Sequence, residues 1–343
     1  MITVQNITKR YGTFEAVKDV SFTVGQDQVL GFLGPNGAGK TTVMKILTGY
    51  HFPTKGEALV DGVSVQDNPV EVKKRIGYLP ESVPVYGDLT VDEYLSFIAD
   101  ARLIARTERR NAREAAIASC GLEQVVSKKI ETLSKGYKQR VGLAQAIIHD
   151  PAILILDEPT SGLDPNQIIE IRSLIKRLGK RKTVILSTHI LQEVEAVCSQ
   201  VLIISDGRIA AQGTPEEIAG RLKGSDTWRL TLKGADVDGV KEKLSRLAPA
   251  ERLSGITLDA AGAGSVTLGF STPADGTGQG VDGERIFDWA VVEQLKILGM
   301  NQKKISLEDI FVRLTSETRT ANAEAGATAD VEGAESAVKE EME

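Results

Sequence analysis

The chain has 343 residues, 41% of them hydrophobic and 26% charged, the balance of a globular protein with room for about two domains. Its two cysteines, Cys120 and Cys198, lie in no C-x-x-C or metal-type spacing, which argues against a disulfide framework or a zinc site, and the net charge of −6 gives no basic surface for nucleic acid. No apolar run reaches the ~18–20 residues of a membrane span and no signal-peptide core opens the chain, so the protein is expected in the cytosol unless a partner holds it at a membrane.

In chain order, alternating apolar residues predict two strands first, through Ile2, Val4 and Ile7 and then through Val17, Val20, Phe22 and Val24. Tyr11 stands between them, where an aromatic ring can stack on a nucleobase. Val29–Leu33 reads as a buried strand, and a helix is predicted over 41–48. Between them runs Gly34-Pro35-Asn36-Gly37-Ala38-Gly39-Lys40-Thr41-Thr42, which fits the phosphate loop G-x-x-x-x-G-K-[ST]. Small residues let backbone N–H groups converge on phosphate oxygens, and the dipole of the following helix adds positive potential there. Lys40 would reach the β- and γ-phosphates, and the Thr41 hydroxyl would hold Mg²⁺.

Beyond the loop, 53–56 predicts a turn, and Asp61-Gly62 predicts a hairpin between Ala58–Val60 and Val63–Val65. Ile76–Leu79 reads as a strand ending at Pro80-Glu81. From Thr90 to Gly121 the pattern is helical, with the charged stretch 107–113 on a solvated face. A third helical stretch starts after Leu133-Ser134 and ends near His149. Ser134-Lys135-Gly136 at its start is a second anion site by the same dipole logic. One chain needs one γ-phosphate site, so a second donor cluster suggests that another subunit's nucleotide docks there.

Ile153–Leu156 is apolar without alternation, as in a parallel strand buried on both faces, and Asp157-Glu158-Pro159 closes it. At the carboxyl end of such a strand Asp157 can hold Mg²⁺, directly or through water, and Glu158 can orient or deprotonate an attacking water. A helix over 165–178, a strand over 183–186, a helix over 191–197 and a hairpin at Asp206-Gly207 complete an α/β core with a parallel sheet. His189 follows the second of these strands, where a neutral imidazole can hydrogen-bond a γ-phosphate oxygen; His51 and His149 are read as structural.

Composition shifts near Lys223-Gly224. Residues 224–315 predict a small α+β domain with strands over 227–232 and 265–270 and helices over 236–247 and 284–298. A loop is expected at 276–280 and an N-capped helix start at Ser306. Residues 316–343 hold eight acids and two bases among Ala, Gly and Thr, and predict a disordered acidic tail.

Taken together, residues 1–223 resemble an ATP-binding cassette ATPase, the nucleotide-binding subunit of an ABC transporter. Gly34–Thr42 matches Walker A, Ile153–Glu158 Walker B, Ser161-Gly162-Leu163-Asp164 the D-loop, His189 the switch histidine and Tyr11 the base-stacking aromatic. Ser134, Lys135, Gly136 and Tyr137 stand in the signature sequence, with Lys135 in place of a Gly and Tyr137 in place of a Gln. Glu81 stands where the family usually has a Gln that serves the Mg²⁺ and water. The resemblance implies a P-loop NTPase fold with a helical signature subdomain over about 82–150, and ATP and Mg²⁺ as ligands. It also implies a head-to-tail dimer, of two copies or with a related ATPase, each ATP lying between one subunit's Walker A and the other's signature. Ile76–Glu81 and the stretch after Ser134 are similar to the ABC-2-type exporter branch, including gliding-motility-type ATPases, which implies a separate membrane permease docking at 82–104 and a place on the inner face of the membrane. A soluble relative in translation or DNA repair would carry two cassettes or a coiled coil, for which the 94 residues from Lys40 to Ser134 are too few. A nucleotide binder without turnover would not need Glu158 and His189.

Overall fold

The computed structural model describes residues 1–221, 226–248, 253–261, 264–272 and 281–303. Their contacts separate Met1–Pro215 from a second unit within Glu216–Val312.

The first unit runs β1 (Ile2–Tyr11), β2 (Phe14–Val24), β3 (Val29–Leu33), α1 (Lys40–Leu47), β4 (Lys55–Val60), β5 (Val63–Ser64), α2 (Pro69–Arg75) and β6 (Ile76–Leu79). It continues with α3 (Val91–Ala101), α4 (Arg109–Cys120), α5 (Lys135–Ile147), β7 (Ile153–Asp157), α6 (Pro165–Leu178), β8 (Thr183–Thr188), α7 (Leu191–Val197), β9 (Gln200–Ser205) and β10 (Arg208–Gly213). Six strands form one sheet in the order β10-β9-β3-β8-β7-β6, parallel except for β10 at its edge. β2-β1-β4-β5 form a second, antiparallel sheet.

Alternation along single strands sets the layers, because successive side chains leave a strand on opposite faces. Ile153 and Ile155 of β7 and Ile185 of β8 pack with Phe32, with the antiparallel sheet and with Val43 and Met44 of α1. Leu154, Leu156, Val184 and Leu186 pack on the other face against Tyr94 and Leu95 of α3, Leu143 of α5 and Leu174 of α6. The central strands are thus covered on both faces, as parallel strands require. Among the described residues no helix is long and apolar enough to cross a membrane.

Several expectations shift locally. The helical stretch 90–121 is two helices: a capping box between Thr90 and Glu93 starts α3, and Leu103 at φ +57 separates it from α4. The turn expected at 53–56 is shorter, because Lys55 already pairs with Thr8 across β1.

Described by itself, the second unit has β11 (Asp226–Lys233), α9 (Val237–Leu244), β12 (Ser254–Ala260), β13 (Ser265–Thr272), α10 (Gly283–Val292) and β14 (Lys296–Lys303), after the helix α8 (Pro215–Arg221) at the division. Its sheet has the order β12-β13-β11-β14 and buries Trp228, Leu268 and Phe270 against Val240, Ile286 and Trp289 of its helices. The helix expected over 284–298 ends at Val292, and Gln294 at φ +56 turns the chain into edge strand β14, which pairs with β11. The contacts divide after Pro215, where α8 starts, and the boundary expected at 223 lies outside the described residues. The expected loop at 276–280, the helix start at Ser306 and the tail from 316 lie outside the described residues.

Candidate active site

Strands β3, β7 and β8 are neighbours in one parallel sheet, so their carboxyl ends lie side by side, where open α/β sheets bind ligands. A cavity of about 460 Å³ opens there, lined by Tyr11, Phe14, Pro35, Asn36, Gly37, Gly39, Lys40, Thr41, Thr42, Glu81, Glu158, Ser161 and His189. Tight packing shapes its floor. A Cβ on Gly34 would lie 2.5 Å from the Ile204 carbonyl oxygen, and one on Gly39, at φ +105, 2.6 Å from the Ala16 oxygen. Only glycine fits either position. Helix α1 starts after Gly39 with no side-chain cap and no acid in its first turn, so its leading N–H groups are left for an anion.

Lys40 is buried at 6% exposure. Its Nζ donates to the Gly34 and Pro35 carbonyls at 2.8 and 3.3 Å and lies 3.3 Å from Glu158 Oε1. Glu158 Oε2 is 2.9 Å from His189 Nδ1. Glu158 has left-handed backbone at φ +47, which a non-glycine residue adopts at a cost of order 1–3 kcal/mol. Its N–H donates to both the carbonyl and the Oγ of Ser187 at 3.1 Å, and these bonds hold the turn. One residue earlier, Asp157 Oδ1 accepts from the hydroxyls of Thr41, at 3.3 Å, and Ser187. Asp157 Oδ2 is buried with no hydrogen-bond partner, an oxygen set up for a cation. Burial, and after it the Asp157 carboxylate, pushes the Tyr78 phenol on β6 well above its ordinary range. Among the described residues no three His, Cys, Asp or Glu side chains converge as a metal cage.

Most of the site residues expected from sequence therefore meet. Ala38 is buried behind the cavity, where its carbonyl accepts from Gly207 N–H at 3.1 Å. Four others stand elsewhere: Ser134, Lys135, Gly136 and Tyr137 start α5 and line no part of this cavity. Ser134 Oγ caps that helix by accepting from Tyr137 N–H at 3.4 Å, and Lys135 lies over Gly162. Asp164 caps α6, accepting from Gln167 N–H at 2.9 Å. Sequence reasoning missed Phe14 and Ser187, and placed Ser161 only within the D-loop and not in this cavity. Phe14, a second exposed aromatic three residues after Tyr11, was the available signal. Ser187, two residues before His189 at a strand end, was another.

The model of the ABC transporter family matches residues 17–161. A second model, described as AAA domain, putative AbiEii toxin, Type IV TA system, matches residues 128–195, the part that carries Asp157, Glu158 and His189. The ABC transporter ATP-binding protein YxlF of Bacillus subtilis (strain 168) is 32% identical over 318 residues, 92% of this chain and 99% of its own. The chain belongs to the ABC transporter ATP-binding proteins. This ABC ATPase is also 34% identical to the linearmycin resistance ATP-binding protein LnrL of Bacillus subtilis (strain 168), over 68% of the chain and 76% of LnrL. Among solved structures it is similar to a dimeric ATP-binding cassette in a post-hydrolysis state bound to ADP and Pi, with a TM-score of 0.57 and 25% identity over 62% of this chain and 98% of that one. The cassette is thus an ATPase, the ATP-binding subunit of an ABC transporter.

Proposed function

We propose that the chain is the ATP-hydrolysing subunit of an ABC-2-type exporter. Two copies, or one copy and a related ATPase, close head to tail on ATP and drive a separately encoded membrane permease. One observation supports this reading above the rest: the Lys40–Glu158–His189 chain, its first two members buried, beside the uncapped start of α1. The triphosphate takes over Lys40 and the N–H groups of residues 36–42, and Tyr11 and Phe14 flank the base. Released from Lys40, Glu158 accepts a proton from the water that attacks the γ-phosphorus. His189 stays hydrogen-bonded beside it and reaches a γ-phosphate oxygen. Bound Mg²⁺ would neutralise charge on the β- and γ-phosphates; Thr41 and Asp157 fit it through the unpartnered Oδ2, with Glu81 nearby. Ser134, Lys135, Gly136 and Tyr137 would serve the partner subunit's nucleotide, which accounts for their standing outside this cavity, and Asp164 would lie at the same seam.

The permease is proposed to dock at 82–104, where Tyr86 and Phe97 stay exposed with rings 5.6 Å apart, and so to hold the ATPase on the inner face of the membrane. The resistance role in the name of LnrL supports export. The residues up to 223 would form the cassette and 224–315 a domain that regulates it or binds the partner. The test is Glu158→Gln. It should lower turnover by about 10²–10⁴-fold, form an ATP-dependent dimer in gel filtration, and bring down a polytopic membrane protein from detergent-solubilised membranes. Wild-type turnover would remove Glu158 from the base role. A monomer with ATP would refute the shared site, and recovery of ribosomes or nucleic-acid enzymes would overturn the transport assignment.

A further inference from the structure

Behind the reactive pair lies a charged group that the hydrolysis scheme does not use. Glu193 sits on α7 and is 1% exposed. Its Oε2 accepts from the Thr188 hydroxyl at 2.7 Å, and its Oε1 accepts from the Thr160 hydroxyl. The Arg172 guanidinium of α6 is 3.7 Å from Oε1. Thr188 Oγ1 also accepts from Ile190 N–H at 3.0 Å, which fixes the chain on the far side of His189. Thr188 immediately precedes His189, and Thr160 follows Glu158 by two residues and precedes Ser161, which lines the cavity. One buried carboxylate therefore ties together the backbone segments that carry Glu158 and His189.

Stability alone does not account for a carboxylate here. Burying the charge costs several kcal/mol before its hydrogen bonds offset it, and a well-packed apolar side chain avoids that cost. The geometry gives the carboxylate another use. Glu158 and His189 sit on different loops, and their 2.9 Å contact needs both loop ends in register. A displacement of about 1 Å at such a pair is worth about 100-fold in rate.

We propose that Glu193 is a positioning residue for hydrolysis, a clamp that holds the Glu158 and His189 loops in register through Thr160 and Thr188. The inference rests on the roles assigned above to Glu158 and His189, and the test separates the two. Full-length Glu193→Gln keeps the size of the side chain and removes its charge. It should lower kcat at saturating MgATP by about 10- to 100-fold with KM for ATP within about twofold, because the triphosphate is held by other residues. The chain has three histidines, so Cε1-labelled histidine gives an NMR spectrum of three ring signals. The His189 signal should shift and those of His51 and His149 should stay. Thr160→Val and Thr188→Val each remove one hydroxyl and no charge. Each should move kcat and the His189 signal in the same direction by less, and they carry the test if Glu193→Gln does not fold. An unchanged kcat overturns the proposal, and so does a lower kcat with an unmoved His189 signal, which would mark a merely structural role. Glu158→Gln is measured in parallel. If it turns over normally, the base assignment fails, and the His189 signal alone decides whether Glu193 positions that loop.

Discussion

The two units bury charge in opposite ways. In the cassette, Lys40, Asp157, Glu158 and Glu193 are all under 9% exposed and gather behind the carboxyl ends of β7 and β8. In the second unit Glu293 is the single buried charged side chain among the described residues, and Arg246 meets both of its oxygens, at 3.0 and 3.3 Å. Glu293 is satisfied within its own unit and its role ends with the fold. Asp157 keeps an oxygen without a partner, and Lys40 rests on an anion that a ligand can replace. Burial of charge alone does not separate the two units; the open oxygen of Asp157 and the replaceable partner of Lys40 do.

Each unit also has its own probe. Both tryptophans, Trp228 and Trp289, belong to the second unit, so intrinsic fluorescence follows that unit while ATP turnover follows the cassette. The largest effect is expected from Phe270→Ala, which empties a fully buried site in the second core and should cost that unit about 3–5 kcal/mol by tryptophan-monitored urea unfolding. Basal ATP binding should persist; if it is lost, the units are not separate in the sense drawn here. Lys40→Ala should cut phosphate release by at least about 10²-fold, roughly 2.7 kcal/mol, and leave the tryptophan transition in place. Thr90→Ala removes the capping box of α3 and should cost the cassette about 1 kcal/mol, read by circular dichroism rather than fluorescence. The smallest effect is a pH dependence. Burial, with Arg102 second, pushes the His149 imidazole from 6.5 down to about 4. Between those values the unfolded chain binds the extra proton, so cassette stability should rise with pH across that window and level off above it. His149→Gln should flatten the slope, and an unchanged slope would assign it to other groups.

The cassette was the more legible half. β3 and β7 are apolar runs buried on both faces, and the helices at 165–178 and 191–197 appear with the expected bounds because capping or periodicity marks them. The loops at the carboxyl ends of β3, β7 and β8 were legible as motifs, and residues from all three line one cavity. The supporting contacts were not. Glu193 has the composition of a solvated helix position, and nothing local signals that Thr160, 33 residues away, will donate to it. The left-handed turn at Glu158 leaves no mark on its residue type. In the second unit β12 is largely exposed and carries few apolar residues, and β14 continues an apolar spacing that also suits a helix; pairing with β11 decides it.

Lys40 carries one more consequence. Its ammonium is buried against the Glu158 carboxylate, so on the proposed function a triphosphate would exchange one counter-anion for another. On the role proposed for Glu158, that exchange would release its carboxylate in the same event that seats the phosphate. Loading and arming would then be one step. The affinity should depend on ionic strength less than that of a site built on a solvated lysine, and Glu158→Gln should bind ATP more tightly than wild type because it removes the competing anion.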